Sequence, residues 1–330
     1  MPQTPSTTRV VGLDRPVTRV ALGTMIVQRD KKEASFRLLD EALDAGIDTL
    51  DTALVYGSEY CIGDWIEARR NRDKLVILTK GSHHNDVRKR CRPCDIGTDL
   101  FDSLAKLKTD YVDMWMLHRD DLDIPVGEIV DALDEHRRAG RVKAYGGSNW
   151  SVARIKEANA YAAKHGRQGF TVSSPNYSLA EQVEDPWGPG CTTIGGPKHA
   201  ADRDWYRQSQ VAIFAYSSLA RGLLSGRVTR ENFNEMKGKL DGACQTAYCH
   251  EVNFKRLDRA STLAKEKGVS VPQIATAFIL SQRMNVIALI GAASRAEIDE
   301  AIVASHLTLT ADELAWLDLA SDQRGATARG

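Results

Sequence analysis

No stretch of this 330-residue chain approaches the roughly eighteen consecutive apolar residues that a membrane-spanning helix requires. Its opening residues, MPQTPSTTRVVGLDRP, have no apolar core of the kind an export signal needs. We therefore expect a cytoplasmic protein with no membrane partner. A charge excess is missing too, because 44 Lys and Arg balance 44 Asp and Glu. Neutralising a phosphate backbone takes an excess of basic charge, so nucleic acid is not expected as a partner. Cysteine is sparse: Cys61, Cys91, Cys94, Cys191, Cys244 and Cys249 are too few in a chain this long for a dense disulfide framework. No G-x-G-x-x-G fingerprint follows the first apolar run, where the chain reads Leu22-Gly23-Thr24-Met25. That weakens an open dinucleotide-binding sheet. No composition shift, internal repeat or low-complexity run divides the chain. We expect one domain over residues 1–330, with loose termini at 1–9 and 321–330.

What the chain does have is alternation. Apolar residues make up 42% and charged residues 27% of it, ample for the core of an ordinary globular enzyme. Short β-branched or apolar runs fall at 19–22, 47–51, 75–80, 111–117, 142–147, 170–174, 211–216 and 286–290. Between them lie segments of helical period at 31–45, 58–70, 97–107, 126–139, 151–164 and 201–208, and further on at 254–267, 271–282 and 294–304. Strands alternating with helices imply a parallel sheet, and eight repeats favour its closure. The expected fold is α/β, a (β/α)₈ TIM barrel with long substrate loops. Two stretches break the rhythm. Residues 184–196 are rich in Gly and Pro, and 231–250 are polar and ambiguous; both suit loops over a site.

Barrel enzymes place their reactive side chains at the carboxyl ends of the strands. Here those ends carry Asp51, with Tyr56 five residues on, then Lys80, then His118, then Ser148-Asn149. Singly, an Asp caps the next helix, a Lys is solvated and a His fills a structural role. Together they form a convergent polar cluster over an apolar floor. A tyrosine, with a pKa of about 10, donates protons poorly at neutral pH. A lysine ammonium beside it lowers that pKa, an aspartate holds the lysine, and a histidine can orient a carbonyl oxygen. The tyrosine could then protonate a developing alkoxide.

These residues resemble the Asp-Tyr-Lys-His tetrad of the aldo-keto reductase superfamily. The matching stretches are Gly46-Ile47-Asp48-Thr49-Leu50-Asp51-Thr52-Ala53 with Tyr56-Gly57, then Leu78-Thr79-Lys80, then Asp110-Tyr111-Val112-Asp113 leading to His118. The similarity runs in consistent order over about residues 10 to 315. It implies an oxidoreductase that uses NAD(P)H to reduce an aldehyde or ketone, with Asp51, Tyr56, Lys80 and His118 catalytic. Cofactor contacts implied by the resemblance are Ser148 and Asn149 at the nicotinamide carboxamide, and Tyr216 stacked on the ring. Ser217, Leu219 and Arg221 would lie at the pyrophosphate, and Gly23, Thr24, Met25 and Asp51 would line the site. Ser174 stands where the family often has a glutamine, so a hydroxyl or Asn176 would take over that contact. Gly291 replaces a frequent lysine, and Glu297 stands where an arginine or glutamine is common. Ser294 and Arg295 could still bind a 2′-phosphate at a helix start, which Glu297 would repel. NADP(H) is favoured on the resemblance, with NAD(H) as the other candidate.

Other features are expected to mean less. His83, His84, Cys91 and Cys94 have only part of a zinc spacing and are taken as cleft wall, with no metal. Cys244 and Cys249 with His250 rank lower. The basic run Arg88-Lys89-Arg90-Cys91-Arg92 reads as a solvated rim. Trp65, Trp115 and Trp316 read as packing; Trp150 and Trp187 are substrate-contact candidates alongside Tyr56 and His118. The polarity of Arg119, Asp120, Asp121, His83 and His84 suits a sugar or polyol carbonyl better than a lipid. Two other classes compete with this reading: a cofactor-sensing binding subunit with little turnover, and a metal-dependent barrel hydrolase, which lacks ligands on the first strand. Oligomeric state and direction of reaction are not legible.

Overall fold

A computed structural model describes residues 3–324. Two short strands, β1 (Thr7–Thr8) and β2 (Val17–Thr18), pair antiparallel. Eight further strands follow: β3 (Val20–Gly23), β4 (Thr49–Asp51), β5 (Val76–Gly81), β6 (Val112–Leu117), β7 (Val142–Ser148), β8 (Val172–Ser174), β9 (Ala212–Ala215) and β10 (Val286–Ile290). Each pairs parallel with its neighbour in sequence, and β10 pairs parallel with β3, so the sheet closes into a (β/α)₈ barrel. The predicted runs at 170–174 and 211–216 shorten at their ends; that at 286–290 matches to the residue.

Side chains alternate inward and outward along each strand. One inward set is Val76, Leu78, Lys80 and another is Met114, Met116, His118. Their apolar members join Ala21, Ala144, Val172, Ala212, Phe214, Ile287 and Leu289 in the core inside the barrel. The outward faces, with Ile77, Trp115 and Tyr145 among them, pack under the surrounding helices. Trp65 and Trp115 are buried in that layer, and Trp316 stacks under Arg259 and Arg324.

The helices fall near their predicted places: 31–45 is Lys32–Asp44, followed by Gly46 in the left-handed region at φ +92°. The predicted helix over 97–107 starts earlier, at Pro93, whose fixed φ suits a first helical turn. Three helices were not anticipated: Phe233–Met236, Gly242–Tyr248 and Ala311–Leu317. The last is held by a capping box between Thr310 and Glu313.

The expectation of a loose amino terminus over 1–9 needs correction. Thr7 and Thr8 are strand residues, Ser6 donates twice to Ser305 (N–H to Oγ at 3.1 Å, hydroxyl to the carbonyl at 2.9 Å), and Val10 and Val17 join the inner core. This hairpin stops the barrel at the amino ends of its strands. At the other terminus, Arg324 pairs with Glu266 at 2.6 Å, while 325–330, like 1–2, lie outside the described residues. Among the described residues no helix is long and apolar enough to cross a membrane.

Candidate active site

The inward alternation of β5 and β6 ends on Lys80 and, one residue past β6, on His118, whose N–H continues the ladder to the Gly81 carbonyl at 2.7 Å. Asp51 ends β4 beside them. Lys80 Nζ donates to Asp51 Oδ1 at 2.5 Å and to the Thr52 carbonyl at 3.0 Å. Both side chains are almost wholly buried, 2% and 6% exposed, so neither charge is offset by water. Burial pushes the Asp51 carboxyl up against the pull of Lys80. Burial would lower the Lys80 ammonium, but Asp51 and then Tyr56 outweigh it and hold it above the ordinary lysine value. Lys80 therefore stays a cation.

Tyr56 closes a short turn, Leu54–Tyr56, that follows β4. Its ring centroid lies 5.3 Å from Lys80 Nζ and 5.6 Å from the His118 ring, nearly edge-on at 81°. Burial raises the Tyr56 hydroxyl above its ordinary value; Lys80, and more weakly Arg119, pull it back. His118 is held well below the usual imidazole range by burial, with Lys80, His83 and Arg119 adding to the effect. It is neutral at physiological pH. Its Nδ1 is buried without a hydrogen-bond partner, an arrangement costing about 1–3 kcal/mol unless an incoming group satisfies it. His83 packs edge-on against the His118 ring at 5.0 Å, so the expected cleft wall reaches the cluster itself.

The remaining candidates divide. Thr24 is wholly buried, and its N–H and hydroxyl both donate to the Asp51 carbonyl, at 3.0 and 2.9 Å. It positions the β4 end, while its neighbour Gly23 is half-buried and Met25 is exposed. Ser148 Oγ donates to the Ser174 carbonyl at 3.0 Å, and Ser174 Oγ to the Phe214 carbonyl at 2.8 Å. Each hydroxyl keeps acceptor capacity. Asn149, left-handed at φ +59°, donates to the His118 carbonyl at 3.3 Å. Its side-chain oxygen accepts from the Tyr216 hydroxyl at 2.8 Å and from Thr192 N at 3.2 Å. Asn176, the alternative to Ser174, is buried and committed to the Tyr248 hydroxyl at 2.6 Å and to Thr193 at 3.1 Å.

Past β9 the chain turns through left-handed Ser217, Ala220 and Arg221, and Leu219 lies within the turn. Arg221 pairs with Asp241 at 2.5 Å and lies over the Trp187 ring at 5.1 Å, joining both irregular stretches to this turn. Trp187 is 46% exposed, 6.3 Å from the Tyr216 ring. Trp150 is different. It is buried at 1%, stacks on Phe170 at 4.9 Å and donates to the Arg119 carbonyl at 3.2 Å, so it supports the rim and is no surface for substrate. Gly147 makes the room, since a Cβ there would come within 2.4 Å of Trp150 Cγ.

After β10, Gly291 is exposed with open space around it. Ser294 caps the helix Arg295–Ala304 by accepting from Glu297 N at 3.4 Å. Glu297 Oε2 accepts from Ala293 N at 2.7 Å, and Oε1 lies 3.7 Å from Arg227. Arg295 is turned to Asp299 at 2.7 Å. Of the two residues expected at a 2′-phosphate, Arg295 is thus engaged by a carboxylate and Ser294 by the backbone of the helix it caps. The basic run is likewise paired: Arg88 with Asp95, Lys89 with Asp121 and Arg90 with Asp99. Cys91 is buried with its thiol on the Arg119 carbonyl at 3.3 Å, and Cys94 is exposed. Among the described residues no group of three or more His, Cys, Asp or Glu could hold a metal ion.

Sequence reasoning passed over Arg119 as a specific contact and Asp241 altogether. Nothing local marks the Arg221–Asp241 pair, whose members lie twenty residues apart.

Comparison with known proteins now places the chain. The model of the aldo/keto reductase family matches residues 19–322. The chain is 30% identical over 320 residues to an uncharacterized oxidoreductase, YrpG, of Bacillus subtilis, covering 92% of this chain and 91% of that protein. It is 29% identical over 304 residues to the aldo-keto reductase YhdN of the same organism, covering 88% and 84%. A solved glycerol dehydrogenase from Gluconobacter oxydans superposes with a TM-score of 0.74 at 26% identity, over 94% of each chain. The chain belongs to the aldo/keto reductase family and is a nicotinamide-dependent oxidoreductase acting on small carbonyl compounds.

Proposed function

We propose that the protein reduces an aldehyde or ketone to the alcohol, with Tyr56 as general acid, Lys80 and Asp51 tuning it, and His118 orienting the carbonyl oxygen. The observation that carries this is the placement of Tyr56 5.3 Å from a buried ammonium that Asp51 holds charged. Ser148, Asn149, Ser174 and Tyr216 would hold the nicotinamide end of the cofactor. Gly23 and Met25 would line the site, and the Ser217–Arg221 turn with Leu219 would take the pyrophosphate. Gly291, Ser294, Arg295 and Glu297 would meet the adenosine ribose. The fit rests on the amide and hydroxyl groups ringing the barrel mouth, the open space at Gly291 and the helix start beside it. When bound, the cofactor supplies hydride to the carbonyl carbon.

The chain's own residues do the rest. Neutral His118 offers a hydrogen bond to the carbonyl oxygen while negative charge grows there. Tyr56 gives its proton to that oxygen, and Lys80 stabilises the phenolate left behind. Asp51 keeps the ammonium in place. Trp187, exposed over Tyr216, is the remaining aromatic candidate for substrate contact. His83 and Arg119 at the cluster suit a hydroxylated or otherwise polar carbonyl, in keeping with the glycerol dehydrogenase among the structural relatives. We take residues 1–330 as one catalytic domain acting in the cytoplasm. NADP(H) remains favoured on family grounds, with NAD(H) as the other candidate; the pairing of Arg295 with Asp299 and of Glu297 with Arg227 narrows the margin. Single-turnover oxidation of enzyme-bound NADPH or NADH by a panel of sugar, polyol-derived and simple aldehydes tests the reading. Cofactor binding with no oxidation by any of them would mark a binding protein.

A further inference from the structure

Arg119 follows His118 directly and is half-buried at the barrel mouth. Its backbone is pinned, because its carbonyl accepts from Trp150 Nε1 at 3.2 Å and from Cys91 Sγ at 3.3 Å. One terminal nitrogen of its guanidinium donates to the Gly190 carbonyl at 3.0 Å and to Cys191 Sγ at 3.1 Å, both in the 184–196 stretch. Its Nε is buried without any partner. Arg154 and Arg256 also carry buried nitrogens without a hydrogen-bond partner, but each has a carboxylate beside it. Arg72 has Asp113 at 2.9 Å, Arg154 has Asp120 at 3.3 Å, and Arg256 has Asp318 at 3.2 Å. Arg203 donates to two carbonyls, at 2.7 and 2.6 Å. Among the described residues no carboxylate pairs with Arg119.

Cys191, which its guanidinium holds, precedes Thr192, whose N–H donates to Asn149 Oδ1 at 3.2 Å. The guanidinium thus lies beside the groups at the mouth, and its charge acts on Tyr56, His83, His118 and Tyr216. A thiol sulfur is a weak acceptor, and a single carbonyl serves only one of the five donors of the group. The planar fork of an arginine matches the two oxygens of a carboxylate. His118, one residue earlier, also has an unpartnered buried nitrogen. Two successive residues therefore offer a site for a carbonyl oxygen and a site for an anion side by side.

We propose that Arg119 determines substrate class by binding a carboxylate carried on the carbonyl compound, so that the enzyme reduces oxo-carboxylates in preference to neutral carbonyls of the same length. This rests on the reductase reading of the Tyr56 site. The 184–196 stretch, held by Arg119 through Gly190 and Cys191, is then the wall that the substrate anion shares.

Steady-state reduction of glyoxylate against acetaldehyde, and of 4-oxobutanoate against butanal, tests it in the wild type, Arg119→Gln and Arg119→Lys. At least one acid should exceed its neutral partner in kcat/KM by about tenfold or more, as expected for a charge-assisted contact. Arg119→Gln should lower that acid at least tenfold more than its neutral partner, mainly through KM, and Arg119→Lys should keep part of the preference. Butanoate should compete with butanal in the wild type and lose that competition in Arg119→Gln. Equal or better use of the neutral aldehydes by the wild type overturns the proposal and leaves the reductase reading intact. So does an equal loss for both classes in Arg119→Gln, which would make Arg119 a loop anchor. A protein that binds cofactor but reduces none of the four overturns both.

Discussion

The Tyr216 hydroxyl donates to the Asn149 side-chain oxygen at 2.8 Å, and Thr192 N takes the second lone pair of that oxygen at 3.2 Å. A cofactor carboxamide seeking Asn149 must share or displace one of these donors. Tyr216→Phe keeps the ring and frees one lone pair, so cofactor affinity should hold or rise, by up to about tenfold for one net hydrogen bond. Tyr216→Ala should weaken it. Fluorescence-quenching titration decides; equal losses in both variants would show that no competition exists.

Tyr56→Phe removes the candidate proton donor and little else. Turnover should fall roughly a hundredfold or more, in the range of general acid catalysis, with cofactor affinity nearly unchanged. Near-normal turnover would remove Tyr56 from the mechanism.

Acidity gives a second handle. Because burial raises Tyr56 above 10, its acid form persists through the neutral range, and carbonyl reduction should stay level from about pH 6 to 9. His118, held below the imidazole range, should add no step near 6.5. Alcohol oxidation needs the phenolate and should climb with pH. In Lys80→Met the ammonium that opposes the rise is gone, so that climb should move to higher pH and the rate should collapse. The single variant also leaves Asp51 uncompensated, a cost of about 3–5 kcal/mol. Asp51→Asn with Lys80→Met should therefore fold better than Lys80→Met yet remain inactive. An unchanged rate and profile in Lys80→Met would assign Lys80 a structural role.

At the proposed adenosine end, Glu297 accepts from Ala293 N at the helix start where a 2′-phosphate would sit. Glu297→Gln should strengthen NADPH binding by about threefold or more and leave NADH almost unmoved. Arg295→Ala should change either affinity less, since Asp299 already holds that guanidinium. Parallel titrations of both cofactors check this. If Arg295→Ala alone costs NADPH tenfold, the arginine turns to the phosphate when it binds.

Gly147 is one position where packing at the rim leaves no room for a side chain. Gly147→Ala should lower the melting temperature, with about 1–3 kcal/mol lost to overpacking against Trp150. An unchanged thermal transition would mean that the indole moves aside freely.

The barrel was legible because its signal repeats. The run 286–290 is bounded by Asn285 and Gly291 and needs no tertiary knowledge. Inward alternation then carries Lys80 and His118 to one end, which explains why strand-end residues were visible as a cluster. Trp150 was misread because its burial depends on the gap at Gly147 and on Phe170, a residue of another βα unit. The helix Gly242–Tyr248 had a local cue, since Asp241 accepts from Cys244 N at 2.7 Å, but its seven residues are too few to show a period. Arg295 looked free because sequence does not show which rotamer a helix face selects, and Asp299 one turn on selects it.

The amino-terminal hairpin has one last implication. With Val10 and Val17 packed at the strand beginnings, apolar side chains fill the barrel interior behind the buried ammonium of Lys80 among the described residues. On the proposed mechanism, the proton that Tyr56 surrenders is then replenished through the opening that substrate and product also use. Recharging the acid is thereby tied to product departure, and a bulky alcohol lingering at the mouth would delay both.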